Sequence, residues 1–318
     1  MPLLPDTAAL AASFERAGFA VRRPAAGILS VAACRPATHA LVLSVGIHGD
    51  ETAPVEMVAA LMADLARRPA ALAVDLLLVV GHPAAIGAGR RFIEADLNRL
   101  FRADRGDLAD AAECERADAI MAAVDAFYRT SAAPRRWHLD LHTTIRPSLY
   151  PRFAMVPDAG DGAQRDALLA WLGMAGIEAA VLNRHLAGTF SGWTARAYGV
   201  AGTTVELGSV AAFGANDLAR FSATAAALKA LLTDGGSLVP ALPPPVFEVV
   251  RQIVKRSSAF RLAIPAGAPN FSAIAPFAAI AEDDGSIHAA GDRTEYVLFP
   301  NPDVRIGLRA ALTAVRCF

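Results

Sequence analysis

Two histidines and two glutamates carry the chemistry that can be read from this chain. His48 and Glu51 stand three residues apart in Gly46-Ile47-His48-Gly49-Asp50-Glu51. His142 closes the run His138-Leu139-Asp140-Leu141-His142-Thr143, about ninety residues further on. Glu206 follows the apolar stretch Thr203-Thr204-Val205. Two imidazoles and one carboxylate are the donor set of a His₂Glu zinc site with an open fourth position. Zinc with an open position is a hydrolytic catalyst, because it lowers the pKa of a bound water toward about 7. A carboxylate beside that water, such as Glu206, could take its proton and pass it to a departing amine.

Each of these residues also has a simpler reading. A lone His-x-x-Glu is most often a pair of ordinary loop residues. A second strand-end histidine raises the odds, but spacing alone leaves both readings open. By position alone a salt-bridged or capping glutamate is the simpler account of Glu206. His138 falls on the same face of a strand as His142 and is read as a core residue. Asp140, or a backbone carbonyl, could hold an imidazole N–H. The HExxH pattern is absent, which excludes a thermolysin-type centre. There is no G-x-S-x-G elbow, and no cysteine sits in a site-like segment, so a serine or cysteine hydrolase is disfavoured.

The elements that must position these side chains alternate. Leu41–Val45 reads as a strand and Pro54–Ala66 as a helix, with Pro54 suited to its first turn. Leu76–Val80 is an unbroken apolar run, as in a strand buried on both faces. A helix is expected over Asp107–Tyr128, then a strand at Trp137–Leu141. A helix at Gln164–Ala175, strands at Ala179–Leu182 and Thr203–Leu207, and a helix at Asp217–Leu232 follow. This order predicts an α/β sheet with helices on both faces. Open sheets of that kind hold ligands at the carboxyl ends of their strands, where His48, Glu51 and His142 all fall. Gly235–Pro245 has linker composition with four prolines. Beyond it, Val246–Val254, Phe260–Ile264, Ile274–Ile280 and Glu295–Phe299 read as short strands. The expected organisation is a catalytic α/β domain over residues 1–236 and a β-rich domain over 237–318.

Composition narrows the function classes. The chain has 318 residues, 54% of them hydrophobic, and a chain of that length buries roughly 75% of its unfolded surface. Its 30 basic and 31 acidic residues give no global reason to expect nucleic acid or an anionic membrane as partner. Cys34, Cys114 and Cys317 form no CxxC pair, so neither a zinc-thiolate site nor a disulfide framework is expected. No signal peptide is expected, because Asp6 and Glu15 flank only a short Ala-rich stretch. No apolar run approaches the roughly 20 residues that span a bilayer. A cytoplasmic protein is the default, and a homo-oligomer is left open.

Five segments in order resemble the succinylglutamate desuccinylase/aspartoacylase family of zinc carboxypeptidase-like hydrolases. They are Gly46–Glu56, Asp96-Leu97-Asn98-Arg99, Trp137–Thr143, Val205-Glu206-Leu207-Gly208 and Glu295–Pro302. The last of these, with Arg146–Pro151, resembles the desuccinylase branch more than the aspartoacylase branch. The resemblance implies a zinc-carboxypeptidase-like mixed sheet flanked by helices, with a smaller C-terminal β-rich domain. It implies one Zn²⁺ per chain on His48, Glu51 and His142, and it turns Glu206 into the catalytic glutamate. It implies that Arg91 polarises the scissile carbonyl, that Asn98, Arg99 and Arg196 bind substrate, and that Tyr296 reaches the site. Planar guanidinium groups suit a substrate with a carboxylate at each end. The implied reaction cleaves N-succinyl-L-glutamate, a small anion, to succinate and L-glutamate, the last step of arginine degradation by the succinyl route. Two rivals stand beside it: a deacylase of another N-acyl amino acid or a carboxypeptidase, and a non-catalytic dicarboxylate-binding relative.

Overall fold

The computed structural model describes residues 6–144, 146–185, 188–235, 242–265 and 267–317. Its strands are β1 (Ala20–Ala25), β2 (Ile28–Ala32), β3 (His39–Val45), β4 (Asp75–Val80), β5 (Arg135–Thr144), β6 (Arg152–Pro157), β7 (Ala179–Asn183) and β8 (Ala201–Ser209). The C-terminal part adds β9 (Val246–Val254), β10 (Arg261–Leu262), β11 (Ala273–Ile274), β12 (Ala279–Asp283), β13 (Ser286–Ala289), β14 (Glu295–Leu298) and β15 (Arg309–Arg316). The helices are α1 (Thr7–Arg16), α2 (Thr52–Arg67), α3 (Pro83–Ala88), α4 (Glu113–Thr130), α5 (Gly162–Met174), α6 (Phe190–Tyr198) and α7 (Ser222–Asp234).

Twelve strands form one mixed sheet in the order β1-β2-β4-β3-β5-β8-β6-β7-β9-β15-β14-β11, and β10-β12-β13 form a second, small sheet. The four central strands β4, β3, β5 and β8 are parallel. Parallel strands must be buried on both faces, and β3 meets that demand with seven buried residues. Its Leu41, Leu43 and Val45 face a core shared with α1, α2, α5 and α7. Its Ala40 and Val42 face the other core, built with α4 and α6. This is the expected sheet with helices on both faces.

The parallel run also brings the carboxyl ends of β3, β5 and β8 to one edge. Val45 is in register with Leu141, and His142 with Glu206. Any polar residue just past Val45 therefore meets His142 and Glu206.

Several expected elements differ in extent. The helix expected from Asp107 starts at Glu113, after a separate 3₁₀ turn at Gly106–Leu108. The Ala112 N–H is taken by the Glu94 carboxylate at 2.9 Å, so that residue does not continue a helix from upstream. The run Ile274–Ile280 is not one strand. It breaks at Pro276-Phe277, where Phe277 takes φ +61°, leaving β11 and β12 on either side. Phe260–Ile264 shrinks to β10, and Phe299, at φ +51°, ends β14. The domain boundary expected between 236 and 237 lies outside the described residues. On either side of it the sheet is continuous, because β9 pairs in parallel with β7. Among the described residues, no helix is long and apolar enough to cross a membrane.

The turn that follows β3 depends on two glycines. Gly46 takes φ +64°, a conformation that residues with a Cβ rarely adopt. Gly49 lies against the backbone of α3, and a Cβ there would stand 2.2 Å from the Ala85 carbonyl carbon and 2.3 Å from the Ile86 nitrogen. Backbone cannot yield as a side-chain tip can. Gly49→Ala is therefore expected to destabilise the fold by at least about 1–3 kcal/mol, as overpacking does, read by urea denaturation. Wild-type stability in that variant would mean that α3 moves freely against this turn.

Candidate functional site

The turn between β3 and α2 carries His48 and Glu51, and Glu51 is the residue that begins α2. Its carboxylate does not cap the helix. It turns inward and is 3% exposed, a burial that needs partners for both oxygens. Oε1 is 2.8 Å from His48 Nδ1, and Oε2 is 2.8 Å from His142 Nδ1. Oε2 also accepts the Thr143 N–H at 3.1 Å, and Oε1 accepts Arg91 Nη1 at 2.8 Å. The ligand atoms of His48, Glu51 and His142 all lie within 4.8 Å of one another.

Each imidazole has a second carboxylate behind it. His142 Nε2 is 2.9 Å from Asp140 Oδ2, and His48 Nε2 is 2.9 Å from Asp96 Oδ1. A proton on Nε2, donated outward, leaves the Nδ1 lone pair facing the centre. With that tautomer Arg91 Nη2, 3.1 Å from His48 Nε2, finds no acceptor there, so its bond to Glu51 is the one that holds it. Burial opposes charge on both histidines, yet the surrounding carboxylates raise their pKa values, that of His142 well above the ordinary range. Burial opposes charge on Glu51 too, but His48 and His142 hold its carboxyl well below the usual range. The donors suit a divalent cation, whose charge would replace the protons that now reconcile them.

His138 is the core residue that the sequence indicates. It is fully buried, hydrogen-bonded to the hydroxyls of Ser44 and Thr194, and burial lowers its pKa to about 4. Ser44 in turn donates to Asp140 at 2.5 Å, so His138 steadies the carboxylate behind His142.

Glu206 stands beside His142 on β8. Its Oε2 is buried without a hydrogen-bond partner among the described residues. Burial, and then the nearby Glu51 carboxylate, push its pKa up to about 7. An orphaned carboxylate oxygen next to a cation site is a proton acceptor in waiting.

These residues line a cleft of about 430 Å³ together with Arg91, Asp96, Asn98, Arg99 and Arg146. Asp96 begins the 3₁₀ turn Leu97–Arg99 by accepting the Asn98 N–H at 2.9 Å. Burial works against its charge, but Arg99 and His48 hold its carboxyl far below the usual range. Asn98 Oδ1 accepts the Phe190 N–H at 2.8 Å, which ties this turn to α6 and leaves its N–H groups for a ligand. Arg196 is exposed on α6 and Tyr296 stacks edge-on against Phe247, 5.2 Å between ring centres; neither is among the residues that line the cleft.

Sequence reasoning missed two contributors. Glu113, 2% exposed, accepts the backbone N–H groups of Ile93, Glu94 and Ala95 and meets His82 Nε2 at 3.2 Å. It thereby fixes the loop that delivers Arg91, Asn98 and Arg99. Its place within an expected amphipathic helix concealed that role. The other wall of the cleft comes from the C-terminal part: Phe299, Asn301, Val304, Arg309 and Leu312. Only the segment Glu295–Pro302 hinted at it.

A family model described as the succinylglutamate desuccinylase/aspartoacylase catalytic domain matches residues 37–232. The chain belongs to the succinylglutamate desuccinylase/aspartoacylase family. The AstE/AspA barrel-sandwich hybrid domain model matches residues 243–317, the β-rich part. Among its relatives is a succinylglutamate desuccinylase of Burkholderia thailandensis, 41% identical over 277 residues, which are 86% of this chain and 79% of that one. The crystal structure of a succinylglutamate desuccinylase from Chromobacterium violaceum superposes with a TM-score of 0.83 at 33% identity, covering 98% of both chains. That of Vibrio parahaemolyticus gives 0.85 at 30% identity, covering 99% of this chain and 96% of the other.

Loss of an imidazole's carboxylate partner typically lowers metal affinity by about 10–100-fold. Asp140→Asn is expected to do so here while the protein stays folded, as measured by chelator competition. Unchanged affinity would mean that Asp140 does not orient His142.

Proposed function

We propose that this chain hydrolyses N-succinyl-L-glutamate to succinate and L-glutamate, with one zinc ion held by His48, Glu51 and His142. The observation that carries this reading is the convergence of those three donors beside the orphaned carboxylate of Glu206, in a cleft lined with arginines. The substrate is suggested by the names of relatives about 40% identical over most of their length. A cytoplasmic location and zinc as the cation go with this reading.

Zinc bound there would acidify water and withdraw charge from the amide carbonyl. The chain's own residues do the rest. Glu206 takes a proton from the attacking water and returns it to the glutamate nitrogen as the C–N bond breaks. The second proton of the water leaves the new carboxyl group for the amine, so the released products are the succinate carboxylate and the glutamate ammonium. Arg91, held by Glu51, offers its guanidinium to the oxygen that becomes negative during attack. Asp140 and Asp96 keep the two imidazoles turned toward the centre. Asn98 and Arg99 bind substrate carboxylate. The partly closed cleft limits water at the reacting amide.

Two outcomes test the assignment. Glu206→Gln keeps the shape but accepts no proton, so kcat should fall by about 10²–10⁴-fold with the metal content unchanged. Turnover within a few-fold of wild type would remove Glu206 from the reaction. N-acetylglutamate lacks the distal carboxylate and should be hydrolysed far more slowly than N-succinylglutamate. Faster turnover of N-acetylglutamate or N-acetylaspartate at equal concentration would replace the desuccinylase reading with that of another N-acyl amino acid deacylase.

A further inference from the structure

Two cations that line the cleft, Arg146 and Arg309, have no role in the reaction just described, and Arg309 stands on the wall supplied by the C-terminal part. Arg309 opens β15, on the wall that faces the triad from the C-terminal part. Its side chain forms no ion pair among the described residues, and the one charged group that bears on it is another cation, Arg99. Burial first, and then Arg99, pull its pKa down to about 10. A half-buried guanidinium facing a second guanidinium is unfavourable unless an anion lies between them. Arg116, another arginine whose pKa burial pulls down to about 10, answers burial differently, by donating to the backbone carbonyls of Gly81, Ala26 and Val80. Arg309 makes no such bond among the described residues.

The backbone aims it deliberately. In a regular strand, residues 309 and 312 face opposite sides. Here the pairing with β9 slips between Arg309 and Ala311, so that Arg309 lies opposite Val254 and Ala311 opposite Ile253. The extra residue lets Arg309 and Leu312 both line the cleft, the kind of re-aiming that β-bulges perform beside sites. Arg91 is the arginine on Glu51, whereas Arg99 donates to the Asn98 carbonyl at 2.8 Å and lies 3.7 Å from Asp96.

We propose that Arg309 and Arg99 together form a subsite for one carboxylate of the substrate, remote from the scissile amide, and that Arg309 is a specificity-determining residue supplied by the C-terminal part. The proposal rests on the reaction assigned above. N-succinylglutamate brings three carboxylates, more than Arg99 and Arg146 can pair while Arg91 serves the scissile carbonyl. A planar fork on each wall can grip a single carboxylate from both sides, so binding would also draw the two walls together.

The test uses the zinc-loaded full chain and the variants Arg309→Gln and Arg309→Lys. Three analogues each replace one carboxylate of N-succinylglutamate with a neutral group: butanoyl for succinyl, and the α- and γ-amides of the glutamate. Arg309→Gln is expected to lower kcat/KM on N-succinylglutamate at least ~10-fold. It should leave kcat/KM within twofold on the one analogue that lacks the carboxylate Arg309 grips. Arg309→Lys, which keeps charge but loses the fork, should fall between the two. Equal losses on every analogue would reveal a structural role and overturn the proposal, as would no loss at all. Calorimetric titration with succinate and with L-glutamate decides the matter independently of turnover. Wild type should bind at least one of them at least ~10-fold more tightly than Arg309→Gln; equal binding, or none by wild type, overturns the subsite. A wild type that binds in this way but does not cleave N-succinylglutamate would overturn the reaction and leave the subsite standing.

Discussion

A carboxylate can be buried only if other groups accept its charge, and Glu51 is the carboxylate on which this structure turns. Its two oxygens draw in His48, His142, Arg91 and the Thr143 N–H, from three separate segments of the chain. The glycines of the turn before α2 exist to let that carboxylate arrive. Gly49 does so twice, by packing on α3 and by donating its N–H to the Arg91 carbonyl at 3.1 Å.

Around that centre the structure repeats one device. Both histidines, and the loop that carries Arg91, Asn98 and Arg99, are oriented by a carboxylate behind them. Asp140 orients His142 and is held by Ser44. Asp96 orients His48 while it starts the Asn98–Arg99 turn. Glu113 pins the loop between them. Precision at the site comes from these supports rather than from the loops, which are short but irregular.

The sequence made part of this legible. His48, Glu51 and His142 could be singled out because strand-end positions and donor types are local properties. The parallel register that brings Glu206 beside His142 follows from buried apolar runs, which are visible as such. Asp140 could be named as a partner because strand alternation puts it on the same side as His142. Other parts depend on contacts that no local pattern encodes. Arg309 looks like any surface arginine until the bulge in β15 and the pairing of that strand with β9 are known. Arg196 has the residue type and chain neighbourhood of a ligand-binding arginine, but α6 presents it outward. Phe277 and Phe299 adopt left-handed backbone that favours glycine, so the neighbouring prolines, Pro276 and Pro300, are the compositional trace of these strand breaks.

The continuity of the sheet from β7 to β9 has a consequence for how the chain comes to be folded. β7 cannot gain its outer neighbour until Val246 and the residues after it exist, since the parallel partner comes from the far side of the linker. At translation rates of about 5–20 residues per second, that leaves β7 as an open edge for a few to about fifteen seconds while the rest is made. During that interval the α/β part of the sheet presents unpaired strand backbone on the ribosome. The residues on either side of β7, Glu178 and Arg184, are charged and form ion pairs with Arg152 and Asp158, and charge at a strand edge is what keeps nascent sheets from pairing with one another.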